Sequence, residues 1–184
     1  KGGKMGYFYT GVGSRKTPQH ILELMTRIAI KMQFLGYMLR SGGAKGADSA
    51  FEQGAGNLKE IYYADNYIPF GSTNRVAYDV EAFHKARELA GSFHPAWHKC
   101  SAFAQKLHGR NSYQVLGINL DMPASYCICW TPDGCDHHAN RSFKSGGTGT
   151  AISIASHHTV PVVNLAIPSE AYNWDQWSQG DNIY

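Results

Sequence analysis

Short apolar runs alternate along this chain with longer segments in which apolar side chains recur every three or four positions. Tyr7-Phe8-Tyr9-Thr10-Gly11-Val12 reads as a first strand that ends in a turn, Gly13 to Pro18. Ile21, Leu24, Met25, Ile28, Ile30, Met32 and Leu35 then follow largely helical spacing. Thr17 is placed to cap that helix, Pro18 to open it and Gly36 to stop it. Tyr37–Arg40 is a second strand running into Ser41–Asp48, with a helix through Phe51 to about Ala55 and a third strand at Glu60–Tyr63. The stretch from Ala64 to Val76 reads as irregular. Helices are expected over Asp79–Leu89 and Ser101–Leu116, then a strand at Tyr126–Trp130 that is apolar enough to be covered on both faces. A polar loop, Asp133–Ser145, leads to a helix opened by Gly146–Thr150 and running through Ala155. Val160–Leu165 is the fifth strand, and the tail carrying Trp174 and Trp177 is expected to pack back on the body. Strands alternating with helices imply an α/β, Rossmann-like fold with a parallel sheet and right-handed crossovers.

No repeat or linker divides the chain, so residues 1–184 are expected to form one nucleotide-binding domain. Lys1–Lys4 precede Met5 and are read as an expression remnant. Hydrophobic residues make up 43% of the chain, charged residues only 17%, and glycines number 20. Such a chain has enough apolar surface for a core and glycine to spare for close backbone approach. A net charge of +3 without a Lys/Arg run suits phosphate but does not demand extended nucleic-acid binding. No apolar stretch reaches the ~20 residues of a membrane span, and no signal peptide is evident, so a cytoplasmic location is expected. Cys127 and Cys129 alternate on a strand and read as buried free thiols. Together with Cys135, His137 and His138 they invite a zinc reading, but their spacing fits no structural zinc pattern. Neither a metal nor a cofactor is expected.

Three glycine-rich segments follow strands: Gly11-Val12-Gly13-Ser14-Arg15, Ser41–Asp48 (with Gly42, Gly43 and Gly46) and Gly146-Gly147-Thr148-Gly149-Thr150. In an open α/β sheet the loops at the carboxyl ends of strands gather on one edge, where ligands bind. Glycine admits the ligand, and helix N-termini offer free N–H groups to a phosphate. On the Ser101–Leu116 helix, Arg110 and Gln114 share a face with Asn111 beside them. Arginine suits bidentate phosphate binding, and an amide can read a base edge. Trp130 ends a strand where its ring can stack on a base or pack in the core.

Gly13-Ser14-Arg15 followed by Ser41-Gly42-Gly43-Ala44-Lys45-Gly46-Ala47-Asp48 resembles the DprA/Smf pattern of GSR and SGxAxGxD. Leu107-His108-Gly109-Arg110-Asn111 with Gly146–Thr150 resembles the MxxRK and GGxGTxxE motifs of Lonely Guy phosphoribohydrolases. Both belong to the SLOG superfamily of Rossmannoid nucleotide-binding proteins. With His94–Trp97 and Cys129–Gly134 added, the run from Tyr7 to about Leu165 is similar to short DprA-like proteins often encoded by phages. The resemblance implies a sheet of about five strands in order 3-2-1-4-5, with the loops beginning at Gly13 and Thr131 flanking the crevice. It also implies homo-oligomers.

The chain departs from the hydrolase pattern: Ser153 stands at the glutamate position and Asn111 at the lysine position, while Arg110 is retained. Arg110 with Asp48 or Asp133 is therefore the expected catalytic set if there is one, although Asp48 is equally suited to helix capping and Asp133 to a turn. The leading expectation is a binder of a nucleotide or nucleotide-derived signal, with N-glycosidic hydrolysis as an added activity. The alternatives are a single-stranded DNA binder using tyrosines and a basic groove, and a non-catalytic sponge for a nucleotide signal in phage–host conflict.

Overall fold

The computed structural model describes residues 7–64 and 74–180. Lys1–Lys4 and most of the irregular stretch expected between Ala64 and Val76 lie outside the described residues. The elements run β1 (Phe8–Gly11), α1 (Gln19–Phe34), β2 (Met38–Ser41), α2 (Ala47–Ala55), β3 (Lys59–Ile61), α3 (Val80–Phe93), α4 (Ala102–Leu116), β4 (Tyr126–Cys129), α5 (Thr148–His157), β5 (Val162–Asn164) and α6 (Pro168–Gln179). All strand pairings are parallel, and the sheet order is β3-β2-β1-β4-β5.

Side-chain alternation divides the core into two layers. Tyr9, Leu39 and Ile128 point from the sheet towards α1 and α2, where they meet Met25, Ile28, Ala29 and Phe51. Cys127 and Cys129 point the opposite way and bury against α4 and α5 residues such as Val115, Ile152 and Ile154. A third cluster, Tyr62, Tyr78, Phe83 and Tyr113, stacks between α3, α4 and the β3 end. The tail packs as expected: α6 lies on α1, with Trp174 edge-on to Tyr126 and Asp175 bound to Arg27 at 2.7 Å.

One capping expectation is corrected. Pro18, not Thr17, occupies the N-cap of α1, because the Thr17 hydroxyl is spent donating to the Ser14 carbonyl at 2.6 Å. Asp79 and Ser101 do cap α3 and α4, accepting from the Glu81 and Ala104 amides. No helix of the described residues is long and apolar enough to cross a membrane.

Candidate functional site

The topology brings the ends of β1 and β2 together beside α4 and the start of α5. Ser41 at the end of β2 donates its hydroxyl to the Gly11 carbonyl at 2.6 Å, locking the two strand ends together. A β-carbon added to Gly13 would sit 2.6 Å from that of Ala47, so the β1 loop rests directly on the start of α2. Across from these loops, α4 presents Ala104, Leu107, His108, Arg110, Asn111 and Gln114. Positions 104, 107, 108 and 111 fall on one helical stripe. Ser145, Gly146, Gly147 and Thr148 complete the wall, and the half-open cavity measures about 520 Å³. That is room for a nucleotide-sized ligand.

Ten of the expected site residues line this cavity: Gly13, Ser14, Arg15, Asp48, Arg110, Asn111, Gln114, Gly146, Gly147 and Thr148. Arg15, Lys16, Arg110 and Lys144 supply cations, and Asp48 is the one carboxylate among the lining residues. Arg110 donates to the Gly42 carbonyl at 2.8 Å, while its Nε is buried without a hydrogen-bond partner. Gln114 is buried with its Oε1 also unpartnered. Buried polar atoms are rarely left so, and each unmet donor or acceptor costs about 1–3 kcal/mol. Asn111 is spent on the protein: its amide donates to the Gly147 carbonyl at 3.0 Å, holding the loop before α5 against α4.

The remaining expected contacts support the cavity rather than line it. Gly11 faces inward, where an added β-carbon would strike the Phe51 ring at 2.6 Å. Gly42 is pressed against Arg110, Asp48 and Gln114, and Gly43 against the Tyr63 ring. Gly46 takes a φ of +93° at the N-cap of α2, which only glycine adopts cheaply. Gly149 is required by packing, since a β-carbon there would lie 2.7 Å from Arg141 Nε and 2.9 Å from Ser145 Cβ. Thr150 is buried and bonded to His108 Nδ1 at 2.8 Å and Arg141 at 3.0 Å.

Two residues for which both a ligand role and a structural role were open take the structural one. The Trp130 ring packs against the α1/α6 core and lines a separate cleft with Pro18 and Pro168, so it is not placed to stack on a base in the cavity. Asp133 accepts from the Ser142 and Ser145 hydroxyls, both at 2.6 Å. Burial alone would raise its carboxyl, but these bonds, one from Thr131 and the Cys135 amide hold it near 2. A carboxylate so firmly ionised is no proton donor at neutral pH; it folds the 133–145 loop. The loop beginning at Thr131 thus reaches the cavity only at its far end, Lys144–Gly147. Ser153, at the hydrolase glutamate position, is buried and engaged by His138 and Arg141.

Sequence reasoning missed His108, Lys144 and Arg141. The stripe through Ala104, Leu107, His108 and Asn111 was a readable signal; Arg141, reaching Thr150, Ser153 and the Phe93 carbonyl from a loop, had none. The Cys135–His138 segment forms no ligand set: the Cys135 thiol donates to the His137 carbonyl, and His138 turns to Ser153.

Asp48 and His108 titrate in overlapping ranges with opposite consequences. Burial pushes the Asp48 carboxyl up to about 6, opposed by Arg110 and the Ala44 amide. Burial, then His94, Arg141 and Arg110, pushes the His108 imidazole down to about 4. A raised carboxyl contributes stability at low pH that is lost as pH rises through about 6. A depressed imidazole contributes stability above its unfolded value that is lost as pH falls towards about 4. In the native protein the two slopes offset. Asp48→Asn should therefore unmask a fall in Tm on acidification through this window, and His108→Gln a rise. Parallel Tm–pH curves for all three proteins would contradict this placement of the two groups.

No family model matches the chain, and no curated protein matches it. Among solved structures it is similar to DNA processing protein A from Helicobacter pylori, described for a unique single-stranded DNA binding mode. That likeness covers 86% of this chain and 64% of the other at 14% identity, with a TM-score of 0.48. The chain therefore spans less than two thirds of that protein's length, and the site is read from its own side chains.

Proposed function

We propose that this chain binds a nucleotide-derived small molecule in the cavity between the β1 and β2 loops, α4 and the start of α5, with a phosphate seated against α5. The observation that carries this reading is Gly147. Its φ of −61° and ψ of −31° are ordinary, and an added β-carbon would meet nothing within 4 Å, so the fold itself does not require glycine there. The space kept open lies at the N-terminal end of α5, where the helix dipole favours an anion, the Gly149 and Thr150 amides being already bonded to the Gly146 and Gly147 carbonyls. Four lining cations against one carboxyl add to that preference. The unpartnered Arg110 Nε and Gln114 Oε1 are then the groups that a ribose, phosphate or base would satisfy.

Binding without turnover is the favoured form, because Ser153 replaces the expected glutamate and is turned away into the His138–Arg141 network. Asp48 supports a hydrolytic variant of the same reading, since a carboxyl near 6 can donate a proton at neutral pH.

A single-stranded DNA partner is the second reading, favoured by exposed Arg15, Lys16 and Lys144 at the cavity and by the nearly bare Phe143 ring beside them. Against it, Tyr9, Tyr62 and Tyr113 are buried in the core and cannot stack on bases. Titration of a mononucleotide panel and of oligothymidylate at two salt concentrations separates the readings. A nucleotide in the cavity predicts saturable one-to-one binding with a shallow salt slope. A DNA interface predicts oligonucleotide binding that weakens steeply with salt, by several counterions' worth.

A further inference from the structure

Beside the proposed nucleotide cavity, the end of α3 and the first turns of α4 bring together three side chains, of which only His108 also lines that cavity. His94 terminates α3, a short 3-10 turn at Trp97–Lys99 folds the chain back, and Cys100 follows immediately before the Ser101 cap of α4. His108 stands two turns further along α4. The Cys100 Sγ lies 3.7 Å from His94 Nε2 and 3.9 Å from Nδ1. The His94 and His108 rings approach to 4.4 Å between centroids, and one ligand atom from each of the three lies within 4.8 Å of the others. Among the described residues this is the one trio of His, Cys, Asp or Glu that converges so closely.

We propose that His94, Cys100 and His108 form a zinc site. A tetrahedral zinc with nitrogen ligands near 2.0–2.1 Å and sulfur near 2.3 Å sets N and S about 3.5 Å apart, and the Cys100 Sγ already lies 3.9 Å from His94 Nδ1. The outer contacts are those of a ligand set. Thr150 Oγ1, itself held by Arg141, meets His108 Nδ1 at 2.8 Å and so fixes that ring with Nε2 free to bind. His94 Nδ1 accepts from the Ala96 amide at 3.1 Å, which places the neutral ring's proton on Nε2. A metal takes the Nδ1 lone pair in exchange for that amide, and the Cys100 thiol releases its proton on binding. Arg141, whose charge bears on both His94 and His108, is turned onto Thr150, Ser153 and the Phe93 carbonyl.

Three protein ligands leave the fourth position open, as in catalytic rather than structural zinc sites. It opens on a second cavity of about 590 Å³ that shares His108, Gly146 and Gly147 with the first. A water or a ligand oxygen can complete the tetrahedron there.

The competing account is a simple thiol–imidazole hydrogen bond with no metal. Titration of the purified, metal-stripped protein with cobalt(II) distinguishes them. The site predicts one equivalent bound, with a thiolate-to-cobalt charge-transfer band and the intense d–d bands of four-coordination, all erased by zinc. Zinc should also raise the Tm of the native chain. Cys100→Ser should abolish the charge-transfer band, and His94→Gln and His108→Gln should each weaken zinc binding by at least about tenfold. Cys135→Ser, a buried thiol elsewhere, should change neither. A native protein that gives no such band overturns the proposal, as does a band that survives Cys100→Ser but not Cys135→Ser.

Discussion

Arg110→Ala is expected to weaken nucleotide binding by about 1.5–3 kcal/mol, roughly ten- to hundredfold, the range for hydrogen bonds to charged groups. Its guanidinium lines the cavity, is anchored at one end by the Gly42 carbonyl and keeps a buried Nε without a partner. Arg110→Lys should recover only part of the loss, because an ammonium cannot reproduce the planar fork. The same substitution has a structural cost that must be separated from binding. Arg110 is the main charge opposing the burial of Asp48, so removing it leaves that carboxyl less compensated and lowers Tm. The double variant Arg110→Ala with Asp48→Asn relieves that penalty and should regain stability without regaining affinity. Lys85→Ala, exposed on α3 away from the cavity, controls for net charge. If the double variant binds as tightly as the native protein, Arg110 is a purely structural residue.

Gly147→Leu is expected to eliminate binding while leaving Tm nearly unchanged, the reverse of an ordinary core substitution. A β-carbon at this position meets no protein atom within 4 Å, so the larger side chain enters the open space assigned to the ligand rather than the packed core. Gly147→Ala should be structurally neutral and intermediate in affinity. Gly149→Ala makes the contrast, because its methyl is driven into Arg141 and Ser145. That change should cost stability by about 1–3 kcal/mol, as overpacking does. Calorimetric titration alongside thermal unfolding reads both quantities; a Gly147→Leu protein with native affinity would remove α5 from the phosphate site.

The sheet was legible because the first four strands announced themselves twice, by an apolar run and by the glycine or polar turn after it, and β5 by its apolar run alone. Strand order was not readable from periodicity; it came from the motif resemblance, and the pairing of β1 with both β2 and β4 agrees. At the candidate site, the sequence located loops that line the cavity but not which residues within them do so. Gly11 and Gly13 are two apart on the same segment, yet one packs on Phe51 and the other lines the cavity. Trp130 illustrates the same limit, since it lies where a strand gives way to a loop and there the alternation no longer dictates direction. Asp133 was obscured by local chemistry: nothing in its neighbours' spacing foretells that Ser142 and Ser145 return to it. His94, Cys100 and His108 were hidden for another reason, because the end of α3, a 3-10 turn and the interior of α4 place them together at no motif-like spacing.

The most direct measurement is mass spectrometry of small molecules released by denaturing the chain after exposure to a cellular metabolite extract, with the Gly147→Leu protein treated in parallel. A nucleotide-bearing cavity predicts a phosphate-containing, nucleotide-derived compound enriched near one equivalent on the native chain and absent from the variant. No such compound on the native chain, or equal amounts on both proteins, would contradict it.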